Sequence, residues 1–248
     1  MTGRPPRAGR GRASDGPGLV VAHRGAWDPA TPQNSLAAFE QAIAEGADGI
    51  ELDVRRTADG RLVVVHDPRI GVRPLSRMDH ASVRARLSEG QAPELEDVLT
   101  AVAGRITVDI ELKEAGYVAE AMAVAGRRLP PSGYVVTSFL DQVLVEVRQL
   151  VPDARTGLLL TSGRPTRRLS ARVAETRVDF LAPHVALARA GLLSWAAERG
   201  LPAWVWTVND RRALRALLAD PRVAAVITDR ARVAVDVARE LPPGAAGA

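Results

Sequence analysis

The strongest constraint on the fold of this chain is an alternation along its length. Eight short runs rich in aliphatic and β-branched residues recur between longer stretches of helical spacing. The runs are Leu19 to His23, Asp48 to Val54, Arg105 to Lys113, Tyr134 to Phe139, Arg155 to Leu160, Asp179 to His184, Ala203 to Val208 and Ala224 to Asp229. Helical spacing marks Ser35 to Glu45, Glu94 to Ala103, Val118 to Leu129, Asp141 to Leu150, Ala190 to Arg199 and Arg211 to Ala219. In the first of these, Leu36, Phe39 and Ile43 share one face, with Asn34 or Ser35 as the cap. A helix between two strands returns the chain to the same end of the sheet, so the strands are expected to run parallel. Eight such units in 248 residues predict a (β/α)8 TIM barrel, which fills about 250 residues as one domain. A doubly wound open sheet is the competing arrangement.

One segment breaks the alternation. Leu62 to Val65 is a ninth extended run, separated from the second strand by Ala58-Asp59-Gly60, which is turn chemistry. A small hairpin insertion after the second strand is therefore expected. Symmetric pairing about the turn sets Glu51 opposite His66 and Asp53 opposite Val64, and brings His66 back beside both carboxylates.

Composition narrows the chemistry. Hydrophobic residues at 46% and charged residues at 25% can build a core, which excludes disorder for most of the chain. No apolar run reaches about 18 residues and no leader-like apolar stretch follows the first arginines, so no membrane insertion and a cytoplasmic location are expected. Cysteine is absent, which excludes disulfides, thiol nucleophiles and thiolate metal sites. Any metal must be held by oxygen or imidazole. The net charge of +4 is concentrated at the start, where Arg4, Arg7, Arg10 and Arg12 face only Asp15. The body is close to neutral, so no nucleic-acid partner is expected. Residues 1–18 read as a disordered basic arm, 19–240 as a single domain and 241–248 as a frayed tail.

Two strands carry unusual faces. Glu51 and Asp53, at i and i+2, point the same way, while Ile50, Leu52 and Val54 point the other. Asp109, Glu111 and Lys113 likewise share a face opposite Val108, Ile110 and Leu112. Paired carboxylates repel unless a proton or a cation intervenes. In a barrel covered by helices these faces look inward near the carboxyl-terminal mouth, where active sites of the fold are built. Three carboxylates from two strands, completed by water, suit Mg²⁺ or Ca²⁺; a solvated edge or a buried ion network is the alternative. His23-Arg24-Gly25 ends the first strand, with types suited to acid–base work, phosphate binding and close backbone approach to a ligand. Asp109 can orient Lys113 or satisfy a buried charge. His184 can reach the mouth from the sixth strand, His80 is expected at the surface, and Trp204 is expected to fill core.

The motifs His23-Arg24-Gly25, Pro32-Gln33-Asn34-Ser35, Glu51-Leu52-Asp53-Val54, Val65-His66-Asp67, Ile110-Glu111-Leu112-Lys113, Trp206-Thr207-Val208-Asn209 and Ile227-Thr228-Asp229 occur in that order. Together they resemble the glycerophosphodiester phosphodiesterase family, over about residues 19 to 235. The resemblance implies a barrel of the phospholipase C-like phosphodiesterase type. It implies a single divalent cation, Mg²⁺ or Ca²⁺, held by Glu51, Asp53 and Glu111. By the same resemblance His23 and His66 form the acid–base pair; the resemblance leaves their order open, and His23 is read here as the base and His66 as the acid. Arg24 and Lys113 then hold the phosphate, and Trp206 lines the substrate mouth. The family usually places Glu at the position of Gln33, which questions any role for a charge there. Ala231 stands where a Pro is common, and Pro68 to Glu94 is too short for a large cap. The implied reaction is hydrolysis of a small glycerophosphodiester to sn-glycerol 3-phosphate and an alcohol. A lysophospholipase D or cyclising lipid phosphodiesterase would use the same residues, and a phosphate- or metal-binding barrel without turnover is the non-catalytic alternative.

Overall fold

The structure is a computed structural model that describes residues 16–161 and 168–242. Most of the expected arm and tail therefore lies outside the described residues; near the start of the described chain, Gly18 N–H donates to Leu218 O at 2.9 Å.

The elements are β1 (Leu19–His23), α1 (Leu36–Glu45), β2 (Gly49–Arg56), β3 (Leu62–Val64), β4 (Arg69–Ile70), β5 (Arg73–Pro74), α2 (His80–Arg84) and α3 (Leu95–Val102). There follow β6 (Thr107–Leu112), α4 (Val118–Arg128), β7 (Tyr134–Ser138), α5 (Asp141–Leu150), β8 (Arg155–Leu160), α6 (Leu169–Thr176) and β9 (Phe180–Pro183). The chain continues through α7 (Val185–Leu187), α8 (Leu193–Ala197), β10 (Ala203–Val205), α9 (Arg211–Ala219), β11 (Val223–Thr228) and α10 (Ala231–Glu240). Each of the eight expected strands is present. Their order is β1-β11-β10-β9-β8-β7-β6-β2, and β2 pairs back onto β1, so the sheet closes. Every pairing around the ring is parallel. Closure excludes the open sheet and identifies the (β/α)8 TIM barrel.

Strand alternation divides the core into two shells. Ile50, Leu52 and Val54 of β2 and Val108, Ile110 and Leu112 of β6 lie outside the ring in the same apolar cluster as Leu95, Val98 and Leu99 of α3 and Val118 and Ala121 of α4. Inside the ring, Val21, Val135, Leu159, Phe180, Trp204, Ala225 and Ile227 form an apolar cluster. Trp204 is core, as expected: it stacks on Phe180 with centroids 4.7 Å apart. Gly157 makes room for that stack, because a Cβ there would fall 2.2 Å from the Phe180 ring. Gly157→Ala should therefore destabilise the barrel by about 1–3 kcal/mol, or several degrees in Tm for a domain of this size. An unchanged thermal midpoint would show that the ring has room to move.

Three local expectations are corrected. In α1 the buried face is Ala38, Phe39 and Ala42, and Leu36 in the first turn is exposed; Ser35 is the cap, its Oγ accepting from Ala38 N at 3.1 Å. The helix expected over Ala190 to Arg199 is interrupted, because Gly191 adopts φ 95° and regular helix resumes only at Leu193. The hairpin register differs by one residue: Val54 pairs with Val64, and Asp53 O accepts from Val65 N at 2.8 Å. The cause is a three-residue loop, Ala58-Asp59-Gly60. Thr57 N donates to Arg61 O at 3.0 Å across it, and Gly60 takes the left-handed conformation (φ 81°) that closes such loops.

Candidate active site

Strand register assembles the site. The parallel pairings set His23 beside Glu51, Glu51 beside Asp109, and Asp53 beside Glu111. All four carboxylates point into the barrel and are buried. Beyond the end of β3, His66 returns to line the same cavity of about 170 Å³ as His23, Arg24, Glu51, Glu111 and Lys113. Its backbone carbonyl accepts from Arg55 Nε at 2.8 Å, and Arg55 lies on the same β2 face as Glu51 and Asp53. The sequence reading did not single out Arg55. The opposite wall is apolar, made by Phe139, Leu159, Trp206 and Ile227. Trp206 is fixed by an Nε1 hydrogen bond to Ala182 O at 2.6 Å and by edge contacts with Phe139 and His184.

The loop after β1 and the turn before α1 are built for this cluster. Arg24 occupies the left-handed region (φ 59°), which turns its N–H onto Glu51 Oε2 at 3.0 Å. Its guanidinium approaches Asp53 Oδ2 at 3.1 Å and donates to Gln33 Oε1 at 2.9 Å. Gln33 thus supports Arg24 with a neutral acceptor, so the guanidinium has one carboxylate partner here. The next residue, Asn34, clamps Asp53: Nδ2 donates to Oδ2 at 2.7 Å and Oδ1 accepts the Asp53 N–H. Gly25 serves packing and not ligand approach. At φ 85° a Cβ would sit 2.7 Å from Ala38, so glycine lets α1 close on the end of β1.

Electrostatics define what the cluster can bind. One oxygen from each of Glu51, Asp53 and Glu111 lies within 4.8 Å of the others, and Glu51 Oε1 is buried with no hydrogen-bond partner. Burial, then repulsion from Asp53 and Glu111, drives the Glu51 pKa well above the ordinary carboxylate range. Burial pushes Glu111 to about 7, with Lys113 opposing. Burial would also raise Asp53, but Lys113 and Arg24 outweigh it and hold the pKa at about 2. Lys113 Nζ bridges Asp53 Oδ1 at 3.0 Å and Glu111 Oε1 at 2.8 Å; those two carboxylates overcome the effect of its burial and raise its pKa. Three hard oxygen donors set against two basic side chains, with an orphaned oxygen on Glu51, fit a divalent cation.

Behind His23 stands a residue to which the sequence reading gave no role. Asp229 Oδ1 lies 2.6 Å from His23 Nδ1. Its other oxygen accepts from Asn209 Nδ2 at 2.6 Å, and Asn209 Oδ1 accepts the Asp229 N–H. These bonds to His23 and Asn209 hold Asp229 below the usual carboxylate value against its partial burial. His66 has a counterpart in Asp67, whose Oδ1 is 2.8 Å from Nδ1.

Other residues fall elsewhere. Asp109 does not touch Lys113. It accepts from Thr137 Oγ1 at 2.8 Å, and burial raises its pKa to about 8, so at neutral pH it stays mostly protonated. Lys113 reaches past it to the two carboxylates nearer the mouth. His80 is not a surface residue: its side chain is 14% exposed and Nε2 lies 3.0 Å from Ala92 O. His184 packs edge-on against Trp206, and its Nδ1 accepts from Ala186 N at 3.2 Å, making it a rim support.

The glycerophosphoryl diester phosphodiesterase family model matches residues 23–233. The chain is 32% identical over 240 residues to probable glycerophosphodiester phosphodiesterase 2 of Mycobacterium tuberculosis, covering 88% of this chain and 90% of that protein. A glycerophosphodiester phosphodiesterase structure from Parabacteroides distasonis superposes with a TM-score of 0.78 at 24% identity, covering 91% of this chain and 98% of the other. A phosphodiesterase of Oleispira antarctica, solved with its product sn-glycerol-3-phosphate, superposes with a TM-score of 0.77 at 21% identity, covering 89% and 96%.

Proposed function

The chain belongs to the glycerophosphoryl diester phosphodiesterase family and is a phosphoric diester hydrolase, and from that premise we propose that it hydrolyses glycerophosphodiesters to sn-glycerol 3-phosphate and an alcohol through a His23/His66 pair. The observation that carries the reading is one cavity lined by two imidazoles, two basic side chains and Glu51 and Glu111, with Asp53 completing the cation-ready triad behind them. The product held by the Oleispira relative fits that chemistry.

His23 is the base. With Nδ1–H donated to Asp229, its Nε2 carries the lone pair and faces the carboxylate end of the cavity, 3.9 Å from Glu51 Oε2. Nε2 takes the proton of the attacking oxygen. His66 donates its proton to the oxygen of the leaving alcohol, at the side of the cavity nearest the outside. Each transfer is worth about 10²–10⁴-fold. Arg24 and Lys113 attract and orient the phosphate, and the apolar wall around Trp206 packs the glycerol carbons and excludes water. A divalent cation, Mg²⁺ or Ca²⁺, held by Glu51, Asp53 and Glu111 would supply positive charge for a non-bridging phosphate oxygen and for the charge developing on it.

Exhaustive chelation with EDTA should abolish turnover of a glycerophosphodiester, and Mg²⁺ or Ca²⁺ should restore it. Undiminished turnover after chelation would reject the cation assignment. Cation binding should also tighten as pH rises from 6 to 8. Glu111, pushed to about 7, holds a proton at the lower pH that a cation must displace, and the upward shift of Glu51 acts in the same direction. Thermal-shift titrations with Mg²⁺ and Ca²⁺ at the two pH values read this directly, and Glu51→Gln should remove most of the shift.

A further inference from the structure

We propose that a second cavity, on the far side of His66, receives the leaving alcohol and selects polyhydroxy alcohols without a positive charge over quaternary ammonium alcohols; this rests on the proposed phosphodiesterase reading and deepens it. The cavity has a volume of about 240 Å³, and His66 lines both it and the barrel cavity. The remaining divider is the Arg24–Gln33 pair, with Arg24 on the inner side and Gln33 on the outer. A phosphodiester whose phosphate lies in the barrel mouth, and whose leaving oxygen meets His66, has its alcohol directed into this outer space.

The lining specifies the alcohol. Gln33 Oε1 is engaged by Arg24, which leaves its amide N–H groups to donate. Gln91 Oε1 likewise accepts from Ser88 N at 2.9 Å, leaving a second amide donor. Arg86 is anchored by one nitrogen to Ser82 O, and Arg69 by one nitrogen to Val72 O, so both guanidiniums are held by backbone with further N–H groups unspent. The one carboxylate in the lining, Asp67, is paired with His66. Asn34 also lines the cavity but its side chain is engaged with Asp53; the rest of the wall is aliphatic or glycine, and among the described residues no Phe, Tyr or Trp lines it. Such a wall is rich in donors, carries more positive than negative charge, and lacks the aromatic faces that quaternary ammonium groups favour. Hydroxyl-rich alcohols offer the matching acceptors; a choline head brings a cation against two arginines and has no hydroxyl left to pair.

The cavity wall has its own support. Val63, Leu75, Met78, Val83 and Ala92 form a separate apolar cluster beneath it. Arg69 and Arg86 are exposed and outside that cluster, so their replacement tests recognition without emptying a core.

The test compares kcat/KM of the full-length, Mg²⁺- or Ca²⁺-loaded protein on glycerophosphoglycerol, glycerophosphoinositol and glycerophosphocholine. A preference of about tenfold or more for the first two is expected, the scale of one net hydrogen bond. Arg69→Ala with Arg86→Ala should cut that preference to less than about threefold, through a higher KM for the polyol substrates. Arg69→Glu should shift selectivity towards glycerophosphocholine, with circular dichroism as the folding control. Equal or better turnover of glycerophosphocholine by the unaltered protein would overturn the subsite while leaving the phosphodiesterase reading intact. A preference for polyols that both arginine variants keep would also overturn it. No turnover of any of the three substrates would overturn the phosphodiesterase reading, and the subsite with it.

Discussion

Replacing His23 or His66 by Ala should each lower kcat by at least about 10²-fold while the fold stays intact. The two imidazoles line one cavity, and each has a carboxylate at Nδ1: Asp229 at 2.6 Å behind His23 and Asp67 at 2.8 Å beside His66. The pairs are not equivalent. Asp229 is itself clamped by Asn209 and is half-buried, whereas the Asp67 side chain is 72% exposed. A clamped carboxylate fixes the tautomer of its histidine, and an exposed one contributes little. Asp229→Asn should therefore lower kcat by about tenfold or more with little change in KM, and Asp67→Asn should cost much less. Comparable losses in these two variants would mean that tautomer control by Asp229 is not the reason for its position. If His23→Ala or His66→Ala keeps kcat near wild type on glycerophosphoglycerol, that histidine is neither acid nor base.

The Asp229–His23 contact shows where sequence reading stopped. Ile227-Thr228-Asp229 was visible as a motif, but its role depends on ring closure. β11 pairs with β1 with Thr228 opposite Ala22, so the next residue on each strand, Asp229 and His23, are neighbours. Carrying the register of the last strand onto the first would have found the pair. The carboxylate cluster needed no closure. Alternation along β2 and β6 alone puts Glu51, Asp53, Asp109 and Glu111 on inner faces, and the structure places them there. Lys113 lies in line with Asp109 along the strand, yet its flexible stem carries Nζ to Asp53 and Glu111, which strand geometry does not specify. Helix α10 escaped notice because much of its buried stripe is alanine, at Ala231 and Ala234, and small residues leave a faint periodicity. The wall of the outer cavity was illegible for a different reason. Its core residues, from Val63 to Ala92, follow no single period because they come from a strand, a 3₁₀ turn, a short helix and a loop.

Lys113→Arg should lose activity nearly as badly as Lys113→Met, although it keeps the charge. Arginine supplies 32 of the 33 basic residues in this chain, and the single lysine falls at this position. Chance alone could put one lysine anywhere; the geometry gives a reason for this place. Nζ sits between Asp53 Oδ1 at 3.0 Å and Glu111 Oε1 at 2.8 Å, on a side chain only 10% exposed. Both partners belong to the carboxylate triad that fits a cation. A compact ammonium takes one oxygen of each and leaves Glu51 and the second oxygen of Glu111 clear of the lysine. A planar guanidinium is wider and prefers two-point contact with a carboxylate, so it would occupy oxygens that the cation needs. Methionine errs the other way. It keeps the volume but removes a charge that, together with Arg24, holds the Asp53 pKa at about 2 and that opposes the rise of Glu111, so both pKa values would rise and protons would compete with the cation. Both variants should fold, since neither adds bulk to the apolar clusters. Steady-state kinetics with circular dichroism decide the matter. An Arg variant that keeps more than about half of wild-type kcat/KM, a loss below about 0.4 kcal/mol in transition-state stabilisation, would refute the steric argument and leave a requirement for charge alone.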